Sequence, residues 1–130
     1  MNSADIVMQS YGRCCASNGF LDTFYLYFLT SSAEVRAKFA DTDMTAQKQL
    51  LRHGILNLVM HARGMPDTKL RALGCSHARG GLDIHPELYN LWLDALLKAI
   101  TEHDQLCDGN TRLAWREVLN KGINVIKSLY

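Results

Sequence analysis

Apolar residues recur every three or four positions along almost the whole chain, and no segment shows the strict alternation of a β-strand. Each apolar stripe would form one buried helix face, and short turn-forming segments separate the stripes. The stripes lie at residues 7–14, 20–29, 44–62, 70–77, 88–100 and 115–126. The pattern predicts about six substantial helices and one short one, in an all-α fold that forms a single domain over residues 1–130.

Turn and capping residues predict where several helices begin and end. Residues 31–34, Ser-Ser-Ala-Glu, have the pattern of a capping box and predict the start of the short helix. Residues 66–67, Pro-Asp, fit the start of a helix that the glycine pair at 80–81 would end. Pro86 fits a first helical position, where its missing N–H costs nothing.

The charge and the cysteines narrow the class of protein. Lys and Arg number 14 and Asp and Glu number 13, which gives a net charge of +1 with no basic or acidic block. Proteins that bind nucleic acids or membrane surfaces usually carry concentrated positive charge, so we expect neither as a partner of this chain. The first residues lack the features of a signal peptide, and the four cysteines lack the spacing of a zinc site. We therefore expect a cytoplasmic protein with reduced thiols.

Three polar residues, Tyr25, Gln47 and His77, interrupt stripes that should be apolar. A buried polar group without a partner costs roughly 1–3 kcal/mol, so each must meet something. One such residue usually finds a local hydrogen-bond partner, but three on three helices of a small bundle favour a shared polar ligand. A haem fits, because it needs an apolar slot between helices, an imidazole for its iron, and donors on the opposite side.

Of the five histidines, only His77 combines a buried stripe with a small residue one turn earlier, Gly74, which would admit a flat ring. His61 is expected at the end of a long helix, solvated and favourably placed in the helix dipole. His53 lies six residues after Gln47, which places the two about 240° apart around a helix. His77 is therefore the predicted iron ligand, with its second nitrogen donating to a backbone carbonyl.

Several segments, in their order and spacing, resemble the globin domains of flavohaemoglobins and the single-domain bacterial globins. FYLYFLTSSAEVRAKF is similar to their helix B and CD corner, with the distal tyrosine on Tyr25 and the haem-stacking phenylalanine on Phe39. AQKQLLRHGI is similar to helix E, with the distal glutamine on Gln47 and an apolar haem contact on Leu51. LRALGCSHARGGLDIHPELYNLWLDALLKAI is similar to helices F and G, with the proximal histidine on His77. From His77 to AWREVL the chain looks closer to the truncated-globin-like bacterial families.

The resemblance implies a globin-like helical sandwich with haem b, iron protoporphyrin IX, in a pocket between helices E and F. Besides His77, the implied haem contacts are Phe39, Leu51, Leu73, Leu82, Ile84 and Trp92. Trp92 has a second interpretation, as ordinary core packing. His53 is the alternative distal residue, but we prefer Gln47, which stands 30 residues before His77 rather than 24 and lies on the apolar face. Three basic residues are candidates for the haem propionates or ordinary surface charges: Lys48, Arg71 and Arg79.

The implied function is reversible binding of O2, or of CO or NO, at a haem ligated by His77, with Tyr25 and Gln47 as hydrogen-bond donors. Such a protein is not an enzyme by itself, and we expect a monomer or a weak homodimer. Three alternatives remain: a nitric-oxide dioxygenase served by a separate reductase, a gas sensor that acts through a partner protein, and a non-haem helical protein such as a phycobilin-like or regulatory globin relative.

Two features depart from the flavohaemoglobin pattern. No flavin- and nicotinamide-binding reductase follows the helices within the 130 residues. In that family a tyrosine of helix G and a glutamate of helix H also hold the proximal histidine. Tyr89 matches the tyrosine, whereas the position of the glutamate falls at about Tyr130. The resemblance therefore argues against strong electron donation to His77 and against peroxidase-like chemistry.

Overall fold

The computed structural model describes residues 1–130 and contains seven α-helices, as the apolar pattern predicts. The helices are α1 (Ser3–Ala16), α2 (Phe20–Leu29), α3 (Ala33–Lys38), α4 (Met44–Ala62), α5 (Thr68–His77), α6 (Leu88–His103) and α7 (Gly109–Ser128). The predicted short helix is α3. None of the seven combines the length and the apolar character needed to cross a lipid bilayer.

Two helices begin later than the sequence signals predict. The side chain of Ser32 caps α3 by accepting a hydrogen bond from the Val35 backbone N–H at 3.0 Å, one residue after the predicted cap. The α6 helix begins at Leu88 and not at Pro86. The cause is a tight turn in which the N–H groups of residues 88–90 bond to carbonyls three residues back, so that regular helix starts only after it.

The packing is organised around α7, against which α1, α4 and α5 lie, while α2 packs against α6. Two glycines allow this close approach. A Cβ atom at Gly122 of α7 would overlap the side chain of Leu58 in α4, and one at Gly74 of α5 would lie 2.8 Å from the side chain of Leu129. The predicted role of Gly74, which was to admit a flat ring, is therefore wrong. The close approach at Gly74 is made by the end of α7.

One continuous apolar core fills the space between the helices. Full burial of one large apolar side chain contributes about 1.5–3 kcal/mol, so this core is the main source of stability. Its largest fully buried members are Trp115, Phe24, Ile55, Leu96, Ile100 and Leu119.

A buried polar cluster fastens α1 to the two last helices. The Asp104 carboxylate, at the end of α6, is 1% exposed and accepts hydrogen bonds from the Ser10 hydroxyl at 2.6 Å and from Arg13 Nη2 at 3.0 Å. The Ser10 oxygen in turn accepts a hydrogen bond from Trp115 Nε1 at 2.9 Å. The Arg13 side chain remains one-third exposed. This arrangement satisfies a charge that would be costly to bury without partners.

Candidate functional site

His77 is the last residue of α5 and is half-buried beside α6. Its Nδ1 atom lies 2.9 Å from the hydroxyl oxygen of Tyr89, and the two rings stack with centroids 6.3 Å apart and planes 26° from parallel. The predicted partner, a backbone carbonyl, is therefore wrong. Tyr89 takes that place because it lies in the first turn of α6, which faces the end of α5 across the intervening turn.

Burial keeps both members of this pair neutral. It lowers the pKa of His77 below the ordinary value of 6.5, because the charged imidazolium is poorly solvated there. The same cause raises the pKa of Tyr89 to about 12, so the phenol keeps its proton at neutral pH. With Nδ1 engaged by Tyr89, the Nε2 atom makes no hydrogen bond within the chain and remains accessible. His77 is thus a neutral imidazole with one nitrogen free of hydrogen bonds within the chain, and neutral imidazole is the form that binds metals.

Tyr25 and Gln47 lie next to each other on α2 and α4. The Tyr25 side chain is buried, and its hydroxyl donates to the backbone carbonyl of Gln47 over 3.4 Å. Burial raises the pKa of Tyr25, with the contact to Gln47 acting in the opposite direction, so the phenol stays protonated at neutral pH. The half-buried Gln47 side-chain amide makes no hydrogen bond within the chain. The Tyr25 hydroxyl therefore lies beside the Gln47 backbone, and the distal role of the two side chains stays a prediction.

Aromatic rings surround Tyr25. Phe39, the residue that ends α3, lies edge-on to Tyr25 at 6.1 Å and to Phe28 at 5.8 Å between centroids. Trp92 of α6 is half-buried and lies edge-on to Phe24 at 6.0 Å. This contact places Trp92 against the core, in agreement with the packing interpretation, while part of the ring stays exposed.

The remaining predicted contacts differ in exposure. Leu51 is buried, and Ile84 is half-buried against the core. Leu73 and Leu82 are 36% and 60% exposed, although both were predicted to lie under a cofactor. Leu50, three residues after Gln47 on α4, is 61% exposed.

The other histidines lie in different surroundings. His53 is exposed on the outer face of α4, as its angular distance from Gln47 predicts. His61 is half-buried, and its Nδ1 atom is buried without a hydrogen-bond partner. The expectation that His61 is a fully solvated residue at the helix end is therefore wrong.

The basic residues considered for propionates all have partners within the chain. Lys48 pairs with Asp22, Arg71 of α5 pairs with Asp67 just before that helix, and Arg79 lies over the ring of Tyr130 at 4.7 Å. The Tyr130 hydroxyl donates to Asp83 at 2.6 Å. Tyr130 thus bonds to Asp83 and not to His77, whose hydrogen-bond partner is the Tyr89 phenol and not a carboxylate.

The chain is similar over nearly its whole length to a protein from Pseudomonas aeruginosa whose crystal structure is described as structurally highly homologous to a human haemoglobin. The two share 70% sequence identity, the alignment covers 99% of this chain and 98% of that chain, and the TM-score is 0.98. This chain belongs to the globin family. No protein-family model and no curated protein sequence matches this globin.

The residues of this globin fit a haem. The iron ligand would be His77, a neutral imidazole with one accessible nitrogen, which suits haem iron. Leu73 of α5 and Leu82, which stand four residues before and five residues after His77, expose apolar surface that a flat apolar macrocycle would cover. The predicted all-α globin fold is confirmed, with Gln47 on α4 and His77 at the end of α5.

Proposed function

We propose that this globin binds haem b through His77 Nε2 and that the bound haem reversibly takes up O2 or another diatomic gas. The single observation that carries the proposal is the state of His77. Its Nδ1 is held by Tyr89, its Nε2 is free, and burial keeps the ring neutral. When bound, haem supplies an iron with an open coordination position for the gas.

Tyr25 and Gln47 are the proposed hydrogen-bond donors to the gas. The Tyr25 hydroxyl uses a bond of 3.4 Å, which is long for an O–H donor, so it loses little when it turns toward a ligand. The Gln47 amide is free of partners within the chain. Each good hydrogen bond contributes roughly 1–1.5 kcal/mol, which changes affinity by about a factor of ten. O2 accepts such bonds better than CO, so this pair favours retention of O2.

The proximal side supports reversible binding over redox turnover. With a metal on Nε2, the His77 proton would be on Nδ1 and would donate to a neutral phenol oxygen, which polarises the imidazole only weakly. A carboxylate in that place would pull harder on the proton and push electron density toward the metal. With Tyr25, Gln47 and Tyr89 in these places, the site resembles that of flavohaemoglobin-type globins without their carboxylate.

Absorption spectra of the purified protein test this proposal. We expect one haem per chain after reconstitution with haemin, a five-coordinate ferrous form, and distinct reversible spectra on addition of O2 and of CO. Failure to hold haem in a fixed one-to-one ratio would overturn the proposal. So would oxidation of the ferrous protein by O2 without a detectable complex, because the donors would then give no retention.

A further inference from the structure

The α3 helix is held by little packing of its own. It has six residues, buries only Val35, and makes its main helix contact with α2. Phe39, a proposed haem contact, follows directly as the residue that ends α3. A movement of α3 would therefore carry Phe39 with it.

Two side chains of α3 reach across to the segment that connects α5 and α6. Glu34 Oε2 lies 2.7 Å from Nδ1 of His85. Lys38 Nζ donates to the backbone carbonyl of Leu82 at 2.8 Å. Glu34 and Lys38 are four residues apart, so both project from one face of α3. Each contact joins residues more than forty positions apart in the sequence, and together they connect α3 to the segment that follows His77.

The segment between α5 and α6, residues 78–87, is itself firmly held. The N–H groups of Leu82 and Ile84 donate to the carbonyls of Ser76 and His77 at 2.9 and 2.8 Å, which ties the segment to the end of α5. A Cβ atom at Gly81 would overlap the Ser76 carbonyl oxygen, so the chain passes too closely there for any other residue.

The far end of α7 holds the same segment from another side. Asp83, at the left-handed φ of 52°, accepts the hydrogen bond from the Tyr130 hydroxyl at 2.6 Å. Arg79 covers the Tyr130 ring at 4.7 Å. Since residues 78–87 are fixed to both α5 and α7, α3 is the part that moves when the cross-links break.

We infer that Glu34, Lys38 and His85 form a latch that positions α3 and slows the loss of haem. This rests on the proposed function. The latch joins the segment that carries Phe39 to the segment that carries Leu82 and Ile84, so it closes one side of the proposed haem site. Haem that leaves on this side must first break both links. The three residues are positioning residues, because they act on the haem through the segments they join.

The rate of haem transfer from the ferric holoprotein to an excess of apomyoglobin measures how much the latch slows haem loss. Glu34→Gln removes the charge that faces His85, and Lys38→Met removes the donor to Leu82 while it keeps the length of the side chain. Each link is partly exposed, so each substitution should speed haem loss by about three- to fivefold, and the double variant by about tenfold. The urea midpoint of the apoprotein should stay the same, because α3 buries so little.

Asp5→Asn is the matched control. It breaks the pair between Asp5 and Arg63, which has a similar distance of 2.8 Å and similar exposure but lies between α1 and the end of α4. We expect haem loss at the wild-type rate. The inference is overturned if the latch variants also lose haem at that rate, or if Asp5→Asn speeds the loss as much. In either case normal haem spectra would leave the proposed function standing, whereas a wild-type protein that takes up no haem would overturn both.

Discussion

The Tyr89 hydroxyl lies 2.9 Å from Nδ1 of His77 and its ring stacks on the imidazole, so one residue of α6 orients the candidate iron ligand. When Nε2 binds a metal, Nδ1 carries the ring proton and donates a hydrogen bond to the phenol oxygen of Tyr89. The pairing also joins α5 to α6 across the turn at residues 78–87. A change at Tyr89 therefore acts on the haem through His77.

Tyr89→Phe tests this coupling. The variant keeps the stacked ring and loses only the hydrogen-bond acceptor, so haem should still bind, with about tenfold weaker affinity. The iron–histidine stretching band in the resonance Raman spectrum of the ferrous protein should move to lower frequency, because the imidazole becomes a poorer donor. Tyr27→Phe is the control, since Tyr27 bonds to Glu102 elsewhere in the molecule. An unchanged band in Tyr89→Phe would mean that His77 is oriented by packing alone.

Local pattern was enough to predict the helices, and it selected two residues, Tyr25 and Gln47, that the structure brings into contact. Helix faces follow from spacing along the chain, so the apolar stripes located α2 and α4, whose polar residues Tyr25 and Gln47 are joined by a long hydrogen bond. His53 was correctly placed away from Gln47 by the same angular argument.

Contacts between distant segments were not predictable in this way. Gly74 was assigned to an approaching ring, whereas the structure brings the end of α7 against it. The partner of His77 depends on how the turn before α6 folds back, which no spacing rule describes. The links from Glu34 to His85 and from Lys38 to Leu82 likewise exist only once the tertiary fold brings α3 near residues 78–87.

His77→Gly should abolish normal haem binding and leave a cavity that added imidazole can fill. The reason is that His77 Nε2 is the accessible imidazole nitrogen at the site, while His53 is exposed on the outer face of α4. Absorption spectra with and without imidazole measure the effect, with His53→Ala and His61→Ala as controls. If His77→Gly keeps the wild-type spectrum while either control loses it, the iron ligand has been assigned to the wrong helix.

Asp104→Asn should destabilise the protein by about 3 kcal/mol at neutral pH, because it removes the charge that Arg13 and Ser10 solvate in the interior. Burial alone would raise the pKa of Asp104, but the hydrogen bonds from Arg13, Ser10 and the Leu106 N–H outweigh it and lower the pKa below its ordinary value. Because the pKa of Asp104 is lower in the folded state, its ionised carboxylate stabilises the fold at any pH above the unfolded-state pKa of about 3.9. This contribution is lost as the pH falls through the folded-state pKa.

Urea unfolding at several pH values measures this contribution. The difference between wild type and Asp104→Asn should be largest at neutral pH and should shrink once the pH falls below about 3.9. Asp94→Asn is the matched control, because Asp94 forms an exposed pair with Arg116 at 3.4 Å and should change stability by less than about 1 kcal/mol. A difference that stays constant down to the acid limit would show that the Asp104 charge contributes nothing.

The last prediction concerns how long O2 stays bound. Tyr25→Phe removes the hydroxyl but keeps the ring that contacts Phe39, so changed packing cannot explain its effect. We expect O2 to dissociate about tenfold faster, and CO to be affected less, because O2 accepts hydrogen bonds more strongly. Gln47→Leu should add a further increase that is less than multiplicative, since Tyr25 and Gln47 are in contact and act as one network. Flash photolysis and O2 displacement by CO give both rates. If both variants release O2 at the wild-type rate, the two residues are structural, and the reason for proposing O2 as the favoured ligand is lost.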